Sequence, residues 1–358
     1  MTAKSFLRNP ANFGVLPLCN RAAVALILSV LIAATSLVAQ QPSIPVLAGK
    51  SENPNPQGVD KFADINSLVT ADHLEEAEAR VRQFVLEHNS SADAHFLLGY
   101  IFFREIQAKA TGEGKLDFRF QEEKAKASLA EYTTGAKLHA PGAFELQIVA
   151  LDYILLNDYA DADKWLSKAT EIDPHNSDIL YFLGRTKYKE QRYSEAVDVF
   201  KQCLQINPKN VRAEDNLGLS YVGLNRNDDA VEAYRLAIAW QAQSSIKDSG
   251  PFIDLGNLLL DQNKVKEAIG YLSQGAEISP NEARVHVALG RAYSRLGQFD
   301  KAQTEVEKAV MLDPNDASSH YILGQIYRKQ GSVEKAKSEL DRSVELNGKS
   351  RDAAPAIR

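Results

Sequence analysis

The sequence predicts an all-α fold, a solenoid of stacked helix-turn-helix units, on three observations. Leu289-Gly290 followed by Tyr293 returns 34 residues later as Leu323-Gly324 and Tyr327, and the same set stands upstream as Leu217-Gly218 and Tyr221. Ala162, Ala196, Ala230, Ala268, Ala302 and Ala336 follow one another at intervals of 34, 34, 38, 34 and 34 residues. Prolines at 174, 208, 280 and 314 close several of the units so defined. Helical apolar spacing on both sides of a turn signal, recurring at a fixed period, is the signature of a repeat array.

One unit, VALGRAYSRLGQFDKAQTEVEKAVMLDP at 287–314, shows why each position is needed. Gly290 sits where the two helices cross closely, so a side chain there would force them apart, and Ala302 supplies the matching small surface. Leu289, Tyr293 and Val306 fill the space between the helices. Gly297 lets the first helix end through a left-handed cap, and Pro314 stops the second. Neither helix buries its outer apolar face within the unit, so the rest of the core must come from neighbouring units.

Taken from the N-terminus, residues 1–39 read as a targeting segment. Lys4, Arg8 and Arg21 precede the apolar run AAVALILSVLIAATSLVA, which ends at Ala39. Basic residues, an apolar run and a small residue before a polar change are the export pattern, so 1–39 is either a cleaved signal peptide or an N-terminal anchor. Cys19 lies before the run, where it does not suit lipidation, and Cys203 is the other cysteine, so the exported chain holds no internal disulfide. Residues 40–57 read as a flexible linker and 58–348 as about eight units. The first keeps Ala77; the second carries a 17-residue excess over Ala108–Lys124; a four-residue excess follows Trp240; and 349–358 reads as a tail. In the excess, Phe118 and Phe120 flank Arg119, and the stretch either lies across a binding face or lengthens a helix pair.

The repeat resembles the tetratricopeptide repeat, and the resemblance covers most of the chain after the linker. It implies a right-handed superhelix in which the first helices of successive units line a concave groove that binds a peptide or protein. By helical phase the groove residues are Phe96, Tyr100 and Phe103; Tyr181, Arg185 and Tyr188; Arg212, Asp215 and Asn216; Asp254, Asn257 and Asp261; Arg284, Arg291 and Arg295; and Tyr321, Gln325, Arg328 and Lys329. The expected groove is aromatic toward its N-terminal end and carries a basic strip toward its C-terminal end, with Glu282 and Asp300 as candidates to neutralise that strip. Aromatic side chains and arginine are the types enriched at interface hot spots. Some relatives clamp a C-terminal carboxylate with Lys and Asn. Asn216 suits such a clamp, but Tyr181 and Asp254 stand where bases are needed.

Composition narrows the function. The chain has 358 residues, 44% hydrophobic and 25% charged, with a net charge of -6; removing 1–39 takes away three basic and no acidic residues and leaves -9. Nucleic-acid binding, which needs clustered Lys and Arg, is not expected. No metal or other cofactor is expected either: His95, His286 and His320 share one repeat position that reads as a packed core slot, without metal-ligand spacing. Cys203 replaces the small alanine of Ala237 and Ala309. TGEGKLDF lacks the spacing of a phosphate loop, and no nucleophile–base–oxyanion set emerges. The expectation is an exported, non-enzymatic scaffold that helps assemble an envelope complex. The alternatives are an auxiliary module of polysaccharide export or outer-membrane assembly, and a repeat-based enzyme with an unrecognised site. Membrane contact is expected only through an uncleaved N-terminal segment.

Overall fold

The structure, a computed structural model, describes residues 62–111, 117–242 and 247–353. The targeting segment and the linker lie outside the described residues. The chain divides into two compact units, Met1–Asp158 and Tyr159–Arg358. The described part of the first holds α1 (Ala63–Thr70), α2 (Leu74–Glu87), α3 (Ala92–Thr111), α4 (Phe118–Leu138) and α5 (Ala143–Leu155). The second holds α6 (Tyr159–Ile172), α7 (Ser177–Lys189), α8 (Tyr193–Ile206), α9 (Val211–Gly223), α10 (Asn227–Ala242), α11 (Gly250–Asp261), α12 (Val265–Ile278), α13 (Ala283–Arg295), α14 (Phe299–Leu312), α15 (Ala317–Lys329) and α16 (Val333–Ala353). The described residues form no strand, and none of their helices is long and apolar enough to cross a membrane.

The crossing geometry follows from residue size. A Cβ on Gly290 would lie 2.1 Å from Val306 Cγ2, and one on Gly218 would lie 2.6 Å from the ring of Tyr234. Both helices can therefore approach only because the glycine is bare. Ala302 and Val306 are fully buried and share a core with Leu323, Ile326, Tyr327 and Ala336 of the following pair. The core missing from one unit is thus supplied by the next, as a solenoid requires.

The turn inside each pair is a second repeated device. Asp72, Asn157, Gln191, Asn225, Asn263, Gly297 and Gly331 occupy the same turn position, and all have φ between 58° and 79°. Around Gly297, the Gln298 amide donates to the Tyr293 carbonyl at 3.0 Å, and the same six-residue closure joins Lys264 to Leu259 at 2.8 Å. This is the left-handed helix ending expected at Gly297. Entry into several first helices is capped by a side chain: Asn176 accepts from the amides of Asp178 and Ile179, and Asp316 accepts from those of Ser318 and Ser319.

Where the sequence departs from the repeat, so do the helices. In the second pair the turn position falls on Ile106, which is buried within α3; a β-branched residue cannot take the left-handed turn, and the helix runs on. α3 and α4 consequently reach 20 and 21 residues, against 13 and 14 for α7 and α8. The excess therefore builds a lengthened pair, with 112–116 outside the described residues. Phe118 stands 60% exposed, whereas Phe120 is covered by the Lys109 ammonium, 4.2 Å above its ring. α10 is two residues longer than α8. α16 continues to Ala353, so the first half of the expected tail is helical, and 354–358 lie outside the described residues. Gly348 does not stop it, and the next strong stop is Pro355.

Three buried histidines tie consecutive pairs together. His286 Nδ1 meets Glu305 Oε2 at 2.7 Å on the second helix of its own pair, and Nε2 meets the Pro280 carbonyl oxygen at 3.0 Å, just before the pair begins. His320 repeats this with Glu339 at 2.6 Å and Pro314 at 3.1 Å, and His95 with Glu131 at 2.7 Å and Asn89 at 3.3 Å. These are core side chains, each satisfied on both ring nitrogens.

Candidate functional site

Successive first helices touch one another: α3 with α5 in the first unit, and α7 with α9, α9 with α11, α11 with α13 and α13 with α15 in the second. The predicted groove residues are distributed along these helices. In the first unit, Phe96, Tyr100 and Phe103 are buried rather than presented at a surface. Phe96 lies against Gly135, whose Cβ would fall 2.5 Å from its ring, and Tyr100 packs edge-on against Phe144 at 5.4 Å. Arg104, also buried, donates to Asp72 at 3.0 Å. The expected aromatic end of the groove is thus core between α3, α4 and α5. Helical phase alone does not separate residues facing a groove from those clamped between neighbouring first helices.

In the second unit the predicted residues are more accessible. Tyr181, Arg185 and Tyr188 are half-buried on α7, with the Arg185 guanidinium 5.6 Å over the Tyr181 ring. Burial, followed by the nearby Asp254 carboxyl, pushes the Tyr188 phenol up to about 12. On the same helix, burial and then Arg185 pull the Lys189 ammonium down to about 8. Asn216 donates to its own helix at the Arg212 carbonyl, 2.8 Å away. Tyr321 is 42% exposed, and exposed Arg328 donates to Gln325.

Of the expected basic strip, Arg291 and Arg295 are braces between helices, while Arg328 and Lys329 stay exposed. Arg284 donates to Glu282 at 2.8 Å, whereas Asp300 accepts from Gln330 at 3.1 Å and plays no part in neutralising it. Arg291 reaches from α13 to Asn257 Oδ1 on α11 at 3.3 Å. Arg295 donates to the Leu260 carbonyl and lies 3.7 Å from Asp261. The long arms of Arg291 and Arg295 are consumed in joining two first helices, so their charge is partly spent on α11.

Three carboxyls escape a simple sequence reading. Glu214 takes the slot occupied by histidine in three other pairs; it is 6% exposed, and burial followed by Glu232 pushes it up to about 7. Asp152 is fully buried on α5 beside Ser128, and burial holds it well above the usual carboxylate range. Asp215 likewise sits well above that range through burial and then Asp254. Cys203 is buried, donates to the Ser177 carbonyl at 3.2 Å and is pushed up to about 12, as a packed thiol is. No set of three or more His, Cys, Asp or Glu among the described residues is placed to hold a metal ion.

Comparison with known proteins finds three family models, each described as tetratricopeptide repeat, at 187–248 with 259–326, at 317–350 and at 150–211. A probable UDP-N-acetylglucosamine–peptide N-acetylglucosaminyltransferase SPINDLY of Hordeum vulgare is 28% identical over 160 residues, covering 43% of this chain and 17% of that protein. A peroxisomal targeting signal receptor of Komagataella phaffii is 26% identical over 143 residues, covering 37% of this chain and 24% of the receptor. This chain thus spans a quarter or less of each of those relatives. Among solved structures, yeast Tom70 superposes with a TM-score of 0.60 at 17% identity, covering 91% of this chain and 68% of Tom70. PilW, a type IV pilus biogenesis factor, gives 0.50 at 20% identity, covering 55% and 90%. At these identities the two structures speak to the fold alone.

Proposed function

Because this chain belongs to the tetratricopeptide repeat family, we propose that it is a non-enzymatic scaffold holding a polypeptide partner in a groove made by its first helices. The observation that carries the reading is the row of first helices in the second unit. They touch one another in sequence and leave Tyr181, Arg185, Tyr188, Asn216 and Asn257 half-buried along their face. Half-buried aromatics and arginines offer apolar area and hydrogen bonds at small ordering cost. A receptor for a targeting signal among the relatives supports a polypeptide ligand. The transferase activity of the SPINDLY relative is not carried over, since the match spans 17% of that protein. The apolar run at 22–39 behind three basic residues supports export, and with it a partner in an envelope complex.

Arg185→Glu tests the groove. Proteins captured from the envelope by the wild-type chain and by the variant are quantified side by side, with both melting temperatures measured. At least one partner should be lost at unchanged stability. Capture of the same proteins in the same amounts would remove the first-helix face as the binding surface. N-terminal sequencing of the chain from the exported fraction should begin near Gln40; an intact N-terminus found only in membranes would substitute an anchor for a signal.

A further inference from the structure

We infer that Asp215, Asp248 and Asp254, on the first-helix face of the second unit, form a socket for one cationic side chain, lysine or arginine, of a bound polypeptide. The inference rests on the groove reading above and names what that groove selects. The carboxyls converge around the start of α11: a Cβ on Gly250 would lie 3.1 Å from Asp248 Oδ1 and 3.5 Å from Asp215 Oδ2. Asp254 is one helical turn beyond Gly250, on the same side of α11. The three residues each keep part of their surface exposed, although Asp215 Oδ1 itself is buried.

One polar atom in this place lacks a partner: Asp215 Oδ1 is buried without a hydrogen bond, where a buried carboxylate oxygen ordinarily finds a donor. Tyr234, 1% exposed with its ring over Gly218, lies close enough for Asp254, Asp215 and Tyr188 to act on it electrostatically. The cation that Asp215 and Asp254 both feel is Arg284, and its Nε is already given to Glu282.

The consequence is a group of acids held close together with too few donors. Burial, followed by the neighbouring charges, holds Asp215 well above its usual range and lifts Asp254 to about 6. An ammonium or guanidinium would bring positive charge and several N–H donors at once, which relieves both deficits. The carboxyls are not placed to hold a metal ion, so the fitting cation is one that carries its own donors. Tyr188, half-buried on α7, offers a wall for its aliphatic stem.

The test presents the full chain with four pools of terminally blocked decapeptides, random except for a fixed central lysine, arginine, norleucine or citrulline. The lysine and arginine pools should bind about tenfold tighter than the other two, as one charge-assisted contact implies. The preference should grow as pH rises through about 6, where Asp254 ionises beside Asp215, Asp248 and Arg284. Asp215→Asn and Asp254→Asn should each abolish the preference without lowering the melting temperature, since each removes a repelled charge. Asp228→Asn, an exposed acid on the second helix α10, should leave it intact. Equal binding of all four pools overturns the socket and leaves the groove. A preference that survives Asp215→Asn with Asp254→Asn, or is lost equally in Asp228→Asn, also overturns the socket. Failure of every pool to bind overturns socket and groove together.

Discussion

Asp152 shows how much a single hydrogen count decides. Ser128 Oγ lies 2.9 Å from the Gly99 carbonyl and 2.5 Å from Asp152 Oδ2, yet a serine hydroxyl has one hydrogen to give. The single hydroxyl hydrogen of Ser128 is therefore shared between two acceptors, the Gly99 carbonyl and Asp152 Oδ2, and burial, opposed by the Ser128 contact, pushes Asp152 well above the usual carboxylate range. Glu214 is the second buried acid of this kind, raised to about 7. For a carboxyl raised on folding, the stabilising contribution is complete below the unfolded value near 4.5 and is lost as pH rises through the folded one. Wild-type protein should thus melt lower at pH 8 than at pH 5, and Glu214→Gln should recover about 1–3 kcal/mol at pH 8 while changing little at pH 4. A variant that melts like wild type at both pH values would mean that Glu214 is solvated. Sequence reading missed both acids because burial of a carboxyl leaves no pattern. Each stands at a position where the helical phase alone predicts a core residue of some kind.

At the level of the helix and its turn, most of the architecture was readable. Gly290, Ala302 and Gly297 did what their positions required, since side-chain size and φ are properties that a single residue fixes. The same turn position also explains the 17-residue excess, through a signal that was present but harder to read. Gly297 lies seven residues past the crossing glycine; Ile106 lies seven past Gly99 and cannot turn left, so α3 continues. Gln191 is the costliest of the observed turn residues, a long side chain held at φ 62°. Gln191→Gly should raise stability by up to about 1 kcal/mol, whereas Gly297→Val should lower it by more than that. Denaturant midpoints check both, and a fall in midpoint for Gln191→Gly would mean that its side chain supports the turn. The burial of Phe96, Tyr100 and Phe103 was not legible, because a residue's phase on its own helix says nothing of how closely the next first helix approaches.

On the scale of the whole molecule, stability is carried from pair to neighbouring pair, and the arginines of α13 belong to that account. Arg291 and Arg295 reach Asn257, Leu260 and Asp261 on α11. Replacing both with alanine should lower the melting temperature by several degrees, at about 1 kcal/mol for each hydrogen bond lost. An unchanged melting temperature accompanied by weakened partner binding would instead return them to the ligand face. The histidine contacts carry a different implication, for recombination. His286 spends one nitrogen on Glu305, inside its own pair, and the other on the Pro280 carbonyl, in the segment contributed by its predecessor. The exchangeable cassette is therefore not the helix pair as the 34-residue motif delimits it. A graft cut between Pro280 and His286 joins the ring to a foreign loop whose carbonyl need not meet it. Duplications or chimaeras that keep the loop with the histidine it serves should splice cleanly, so the natural seam lies inside the preceding second helix, upstream of the proline.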